Sequence, residues 1–422
     1  MIEIIPNNMK PRCTVTVPGS KSFTHRMLIG AALSAGNCSI ENALFSDDTI
    51  LTMKALAQMG IQIKHEAGNG LSVCGGGGVL QPATEPIYLG NSGTSIRLLT
   101  AVAALGNETY TLLGSKRMAE RPIQALIDAL VQIGVQARST NSNGCPPVEV
   151  NGKSLSGKTA TIDCRSSSQF LTGLLLIAPC TSQGLEISVS HGPVSKPYVD
   201  MTVDVMSKFG ITVDRRGYER FKVAGEQDYQ AGTYAVEADA SQAGYFWAAA
   251  AVGAKTVKVR GISRDSCQGD VGLADVLASM GCTVTSQTDG ITVAGADRLQ
   301  AVEIDMGDMP DMVPTLAVVA AFAQGTTVIK NVAHLKAKES DRLTAVVNEL
   351  TKMGVAAHCS DDELTVTGGR PRGAAVETYG DHRIAMSFAV AGLAAPGTVI
   401  RDERCVEKSF PNFWEVFEEL YE

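Results

Sequence analysis

Aromatic side chains are scarce in this chain, at 5% of 422 residues, and its formal net charge is −8. A nucleic-acid surface needs basic stripes and commonly aromatic stacking platforms, so no nucleic-acid partner is expected. Ten cysteines occur without a C-x-x-C pair, and no His/Cys cluster has zinc spacing. No metal site is therefore expected, and thiols used this way suit a reduced, cytoplasmic protein. The start MIEIIPNNMK lacks the apolar core of a signal peptide, and the longest apolar stretches, such as FLTGLLLIAP and YFWAAAAVGA, are too short to span a bilayer. No membrane partner is expected either.

What is present is a period. Six times, a polar Gly/Ser/Asp/Thr cluster runs into a strongly apolar helical stretch that stops at a glycine and leads into a short β-branched strand. The stretches run from Ser22, Thr94, Ser168, Ser241, Asp311 and Asp381 to Gly36, Gly106, Gly184, Gly253, Gly325 and Gly397. Their terminal glycines are spaced by 70, 78, 69, 72 and 72 residues, and repetition this regular marks a repeated structural unit. A second, amphipathic series ends in glycines 60, 134, 210, 281 and 354. A helix without a polar face is buried and one with a polar face lies at the surface. The expected fold is therefore α/β, with two similar domains, each of three repeated units with buried apolar helices and surface sheets, an inverse α/β barrel-like arrangement. Two domains of roughly 200 residues also fit the chain length.

The sixth amphipathic helix, NFWEVFEELYE, is followed by no strand, whereas MIEII and CTVTV read as β at the amino terminus. Those strands are expected to complete the carboxy-terminal half. The domains are then 1–17 with 231–422, and 18–230, with hinges near 18 and 230–233.

Helix N-termini carry unpaired N–H groups and partial positive charge, so the segments ahead of the apolar helices are the place to seek an anion site. Pro18-Gly19-Ser20-Lys21-Ser22 with Arg26 precedes the first, but the earlier glycine of a nucleotide P-loop is missing. Gly90-Asn91-Ser92-Gly93-Thr94 precedes the second, and Arg121 stands directly before Pro122. The third unit offers Arg165-Ser166-Ser167-Ser168-Gln169 and Ser195-Lys196-Pro197-Tyr198; the fifth has Asp311, His334 and Lys336-Ala337-Lys338-Glu339-Ser340-Asp341-Arg342. The sixth has Gly380-Asp381-His382-Arg383, followed later by Lys408. Each piece alone reads equally well as a helix cap or a solvated charge run. Their recurrence at equivalent points of six repeats favours a shared site for a polyhydroxylated anionic small molecule, with carboxylates available for proton transfer. His25, His65, His191 and His358 read as ordinary surface or half-buried groups.

These residues also carry a family resemblance. PGSKSFTHR, GNSGTSIRLL, AERPI, SSQFLTG, SKPYVD, MPDMVPTLA, KESDRL, GDHRIAMS and KSFPNFW, in that order from residue 18 to 414, resemble the EPSP synthases, or 3-phosphoshikimate 1-carboxyvinyltransferases. The resemblance implies transfer of the carboxyvinyl group of phosphoenolpyruvate to the 5-hydroxyl of shikimate 3-phosphate, releasing phosphate, in the shikimate pathway to chorismate. It implies no metal or organic cofactor, two small-molecule substrates as the partners, and a monomer. It places shikimate 3-phosphate on Lys21, Ser22, Arg26, Ser167, Ser168, Gln169, Ser195, Tyr198, Asp311, His334 and Lys338. Phosphoenolpyruvate falls to Lys21, Asn91, Gly93, Arg121, Gln169, Arg342, Arg383 and Lys408. The domain 18–230 would hold mainly shikimate 3-phosphate, and the other domain phosphoenolpyruvate and the catalytic carboxylates.

The chemistry so implied is addition followed by elimination. Asp311 is expected as the base at the 5-hydroxyl and Glu339 as the proton carrier at the methylene, with Lys21 at the departing phosphate and His382 supporting Glu339 or Lys21. Two positions depart from the family pattern: His334 stands where many members carry Asn, and Leu98 where many carry Pro. The sister enzyme acting on UDP-N-acetylglucosamine typically has a reactive cysteine in the loop equivalent to 114–122, which here has none. RNA 3′-phosphate cyclisation is disfavoured by the acidic charge. A binding protein without catalysis would be expected to have lost Asp311, Glu339 or Lys21, and all three are present.

Overall fold

The computed structural model describes residues 1–5 and 9–421. Residues 6–8, within the segment 1–17, and Glu422, last in the expected terminal helix, lie outside the described residues. Contacts divide the chain into two compact units, 1–18 with 237–422, and 19–236.

Six helices follow the apolar series: α1 Lys21–Leu33, α3 Gly93–Ala103, α5 Gln169–Ile177, α7 Ala240–Gly253, α9 Val313–Ala320 and α11 His382–Gly392. Six follow the amphipathic series: α2 Asp47–Gln58, α4 Gln124–Gln132, α6 Pro197–Lys208, α8 Leu273–Ser279, α10 Arg342–Lys352 and α12 Phe413–Glu418. The two classes differ in burial as their side chains require. Along α7 every residue from Ala240 to Ala251 is buried, polar ones included. Along α10 the buried residues Arg342, Leu343, Ala345, Val346, Glu349 and Leu350 recur at three- and four-residue intervals, which leaves the other face to solvent.

Small residues allow the buried helices to approach closely. A Cβ at Gly244 of α7 would stand 2.4 Å from Met312 Sδ, so a larger residue fits only if the Met312 side chain shifts. In the unit containing 237–422, α7, α9 and α11 pack on one another; in 19–236, α3 packs on α1 and α5.

The strand following each buried helix is the centre of a sheet. In the unit 19–236 these strands are Ala35–Glu41, Thr109–Leu113 and Leu185–His191, each extended on its antiparallel side by a hairpin. On the other side lies a parallel edge strand, respectively Thr233–Ala235, Ile87–Tyr88 and Thr159–Asp163. The second unit repeats the plan around Thr256–Arg260 and Thr326–Lys330. Alternation sets the facing: in Thr256–Arg260, Val257 and Val259 are buried while the residues between them are not.

Both amino-terminal strands join the unit of the carboxy-terminal half, but in different sheets. Ile2–Ile4 pairs antiparallel with Thr398–Ile400 in the sheet of the sixth repeat, but Arg12–Thr16 pairs parallel with Thr256–Arg260 in the fourth. The physical reason is an exchange of edge strands at the two crossings. Arg12–Thr16 precedes α1 yet edges a sheet of the other unit, and Thr233–Ala235 precedes α7 yet edges the sheet of Ala35–Glu41. The second boundary consequently falls after Val236, past the 230–233 segment read from the sequence. Among the described residues no helix is long and apolar enough to cross a membrane, and all ten cysteines are free.

Candidate active site

In the unit 19–236, polar residues gather at the starts of α1, α3 and α5. Lys21, in the first turn of α1, is buried with its Nζ 3.3 Å from Asp48 Oδ2. Arg26 lies one turn further on and is also buried. Its guanidinium donates to Thr202 Oγ1, the Ser22 carbonyl and the Tyr198 carbonyl, each at 2.9 Å, which fixes its plane. The Tyr198 ring stands 6.0 Å from that guanidinium carbon. Ser195, just ahead of α6, is buried and has φ +55°, a left-handed conformation that only a constrained segment imposes on serine.

A second group surrounds α3 and α5. Arg97 donates from Nη1 to Gln169 Oε1 at 2.9 Å and to Ser167 Oγ at 3.4 Å, while Gln169 Nε2 donates to Thr94 Oγ1 at 2.8 Å. Ser168 is buried beside them as the residue that opens α5. Arg121 is 3% exposed and donates from Nη1 to the carbonyl and side-chain oxygens of Asn91, at 3.0 and 3.2 Å. Gly93 permits this, since a Cβ there would lie 2.4 Å from Arg121 Nη2. The fold thus assembles Ser22, Arg26 and Tyr198 in one network, pairs Lys21 with Asp48, and sets Ser167, Gln169, Asn91, Gly93 and Arg121 around the neighbouring helix starts.

In the unit of 1–18 and 237–422, Arg342 organises the charges. Only 2% exposed, it donates from Nη1 to Asp311 Oδ1 at 2.8 Å, from Nη2 to Glu339 Oε2 at 2.9 Å, and from Nε to Asp381 Oδ2 at 2.8 Å. Arg383, equally buried, donates from Nη2 to Asp311 Oδ2 at 3.0 Å and from Nη1 to the Tyr245 hydroxyl at 3.0 Å. Burial opposes the charge on Arg342, but Asp381, Glu339 and Asp311 outweigh it and hold its pKa above the ordinary range. Burial opposes the charge on Arg383 likewise, and Tyr245 and Asp311 outweigh it. Both guanidinium groups therefore stay charged.

His334 is buried, and desolvation first, then Lys338, lowers its pKa to about 3. Its imidazole is neutral at physiological pH, so it serves as a polar contact and brings no charge. Lys338, Glu339 and Lys408 are half-buried. His382 opens α11 and is fully buried, with Nδ1 3.6 Å from Asp381 Oδ1. Leu98 is fully buried within α3.

Several residues were missed by sequence reasoning. Asp48, Arg97 and Tyr245 each bond to an expected site residue, as does Asp381, which sequence reasoning named only as part of the segment ahead of α11. Arg97 had a legible signal, a charge inside the apolar run SIRLLTAV. Tyr245 had none, since a tyrosine in YFWAAAA reads as core. His25 is a correction: it is fully buried, with Nδ1 2.9 Å from Thr52 Oγ1, and Thr52 in turn bonds Ser95. An apolar helix start buries all its faces, and a hydroxyl partner makes the imidazole tolerable there.

Known proteins match this chain along nearly its whole length. The family described as EPSP synthase (3-phosphoshikimate 1-carboxyvinyltransferase) matches residues 8–417. A 3-phosphoshikimate 1-carboxyvinyltransferase of Syntrophobacter fumaroxidans is 44% identical over 411 residues, covering 97% of each chain. The protein of the same name from Methanoculleus marisnigri is 44% identical over 399 residues, 94% of each. Among solved structures, the EPSP synthase from Acinetobacter baumannii is 27% identical with a TM-score of 0.83, covering 99% of this chain and 98% of that one. Sequence and fold agree across both units, and the chain belongs to the EPSP synthase (3-phosphoshikimate 1-carboxyvinyltransferase) family.

Proposed function

We propose that this chain transfers the carboxyvinyl group of phosphoenolpyruvate to the 5-hydroxyl of shikimate 3-phosphate, releasing phosphate, with the residues above dividing the work. The observation that carries this reading is the arrangement about Arg342, which holds Asp311 and Glu339 on one guanidinium. Two carboxylates oriented by one fixed cation are what a reaction with two separate proton transfers requires. Each oxygen bonded to arginine keeps a second lone pair for a substrate proton.

Asp311 takes the proton of the 5-hydroxyl as that oxygen bonds to the central carbon of phosphoenolpyruvate. Glu339 delivers a proton to the methylene carbon, which gives a tetrahedral intermediate bearing a methyl group. In the second step Glu339 takes back one methyl proton as the bond to the phosphate oxygen breaks, and Lys21 neutralises the leaving group. His382, beside Asp381, supports the orientation of Glu339 through Asp381 and Arg342. No step calls for a redox change, and the protein's work is charge placement and proton transfer.

The unit 19–236 holds mainly shikimate 3-phosphate, through Lys21, Ser22, Arg26, Ser167, Ser168, Gln169, Ser195 and Tyr198. Asp311, His334 and Lys338 add contacts to the same substrate. Arg342, Arg383 and Lys408 hold phosphoenolpyruvate together with Lys21, Asn91, Gly93, Arg121 and Gln169. The chain acts as a monomer in the cytoplasm, where ten free thiols remain reduced.

Turnover in deuterium oxide tests the scheme. Deuterium is expected in the vinyl methylene of the product, because the intermediate methyl group rotates before it loses a proton. A product free of vinyl deuterium would rule out addition by protonation at that carbon.

A further inference from the structure

One buried charge on α10 has no part in the scheme above. The inner face of this helix is apolar at Leu343, Val346 and Leu350, yet Glu349 on the same face is 0% exposed. A buried carboxylate is costly unless paired, and an apolar residue of similar volume often serves stability as well. Glu349 is explained by what it holds. Its Oε1 accepts from the Tyr379 hydroxyl at 2.7 Å and its Oε2 from the Glu377 backbone N–H at 3.1 Å, while Lys352 Nζ donates to both oxygens at 2.8 Å.

Residues 377 and 379 lie in the turn between the short strand Ala375–Val376 and α11. Tyr379 and Gly380 follow one another at φ +56° and +63°. Glycine adopts that left-handed conformation freely and a bulky tyrosine does not, so the tyrosine is there for its side chain. The turn ends at Asp381, whose N–H donates to the Thr378 carbonyl at 2.8 Å and whose Oδ1 accepts from the Arg383 N–H at 3.0 Å as the cap of α11. Arg342 Nε holds the same Asp381 at 2.8 Å. Positions 342 and 349 stand two turns apart on one face of α10, about 10 Å along its axis. One helix therefore grips this turn at both ends, Glu349 at 377 and 379 and Arg342 at Asp381.

We propose that Glu349 is a positioning residue of the phosphoenolpyruvate site, which through Tyr379 and the 377 backbone fixes the turn that sets where α11 begins and hence where Arg383 stands. The arrangement depends on that placement, because Asp311 receives Arg342 on Oδ1 and Arg383 on Oδ2. A shift of the α11 start separates these two guanidinium groups and displaces the charge that meets the anion. Displacement by about 1 Å from a change remote from the chemistry can cost about a hundredfold. This rests on the assignment of Arg342 and Arg383 to phosphoenolpyruvate.

The test is the KM for each substrate in Glu349→Ala, Tyr379→Phe and the double variant. Glu349→Ala is expected to raise the KM for phosphoenolpyruvate at least about tenfold. Tyr379→Phe removes one hydrogen bond to a charged acceptor from a residue that is 45% exposed, and is expected to raise it about threefold. The KM for shikimate 3-phosphate should stay within about twofold in both, since most of its proposed contacts lie in the other unit. The double variant should be no worse than Glu349→Ala, because the hydroxyl has then lost its acceptor. An unchanged KM for phosphoenolpyruvate, or equal rises for both substrates, would assign Glu349 to stability alone and overturn the proposal. If Glu349→Ala does not fold, Tyr379→Phe decides by the same criteria. Arg383→Gln separates the two readings. A raised KM for phosphoenolpyruvate in Arg383→Gln with none in the other variants sinks only the role of Glu349, whereas an unchanged KM in Arg383→Gln sinks both.

Discussion

Asp311→Ala and Glu339→Ala are each expected to lower kcat by at least about a hundredfold, the usual loss on removing a general acid or base. Electrostatics alone predicts a different outcome. Both carboxylates neutralise Arg342, so deleting either makes the site more cationic and should favour binding of substrates that carry phosphate and carboxylate groups. A fall in kcat with an unchanged or lower KM for phosphoenolpyruvate therefore marks lost proton transfer. Asp311→Ala should also weaken shikimate 3-phosphate, whose hydroxyl is its proposed partner. Steady-state kinetics with each substrate varied in turn checks both statements. Near-normal turnover of Glu339→Ala would remove it from the proton-carrier role.

The second large effect is on stability. Arg342→Met should destabilise the protein by about 3–5 kcal/mol, the range found when one partner of a buried ion pair is deleted. The cause is what remains: Asp381, fully buried, and the half-buried Glu339 and Asp311 would face one another without the cation that joins them. Adding Asp381→Asn to that variant should recover part of the loss, because it removes the most buried of the three charges. Urea unfolding of the single and double variants measures both quantities. A midpoint unchanged by Arg342→Met would mean that the carboxylates find other compensation, and the central place given to Arg342 would be wrong.

The repeat was legible because it depends on local chemistry. An apolar run ended by glycine 36, 106 or 253 announces a buried helix and a following strand, and the observed α1, α3 and α7 each start one residue ahead of those runs and end within them. Strand exchange was not legible. Nothing within CTVTV or Thr233–Ala235 specifies which sheet it edges, since a parallel edge strand is chosen by partners hundreds of residues away. The boundary at Val236 inherits that uncertainty.

At the candidate site, the motifs exposed Lys21, Arg121, Asp311, Arg342 and Arg383 because bases and acids clustered ahead of apolar helices. The partners that hold them were harder to see. Asp48 is one of two acidic residues in the first turn of α2, and nothing in its spacing singles it out. Their importance arises from burial and pairing, which belong to tertiary packing. His25 misled for the same reason, since a sequence alone does not reveal the Thr52 hydroxyl that receives it.

Release of phosphate from phosphoenolpyruvate, measured with and without shikimate 3-phosphate in the presence of a chelator, tests the central claim most directly. The account predicts release only when shikimate 3-phosphate is present, one phosphate for each carboxyvinyl group transferred, and no effect of the chelator. Release without shikimate 3-phosphate, or activity lost to the chelator and restored by a metal ion, would contradict it.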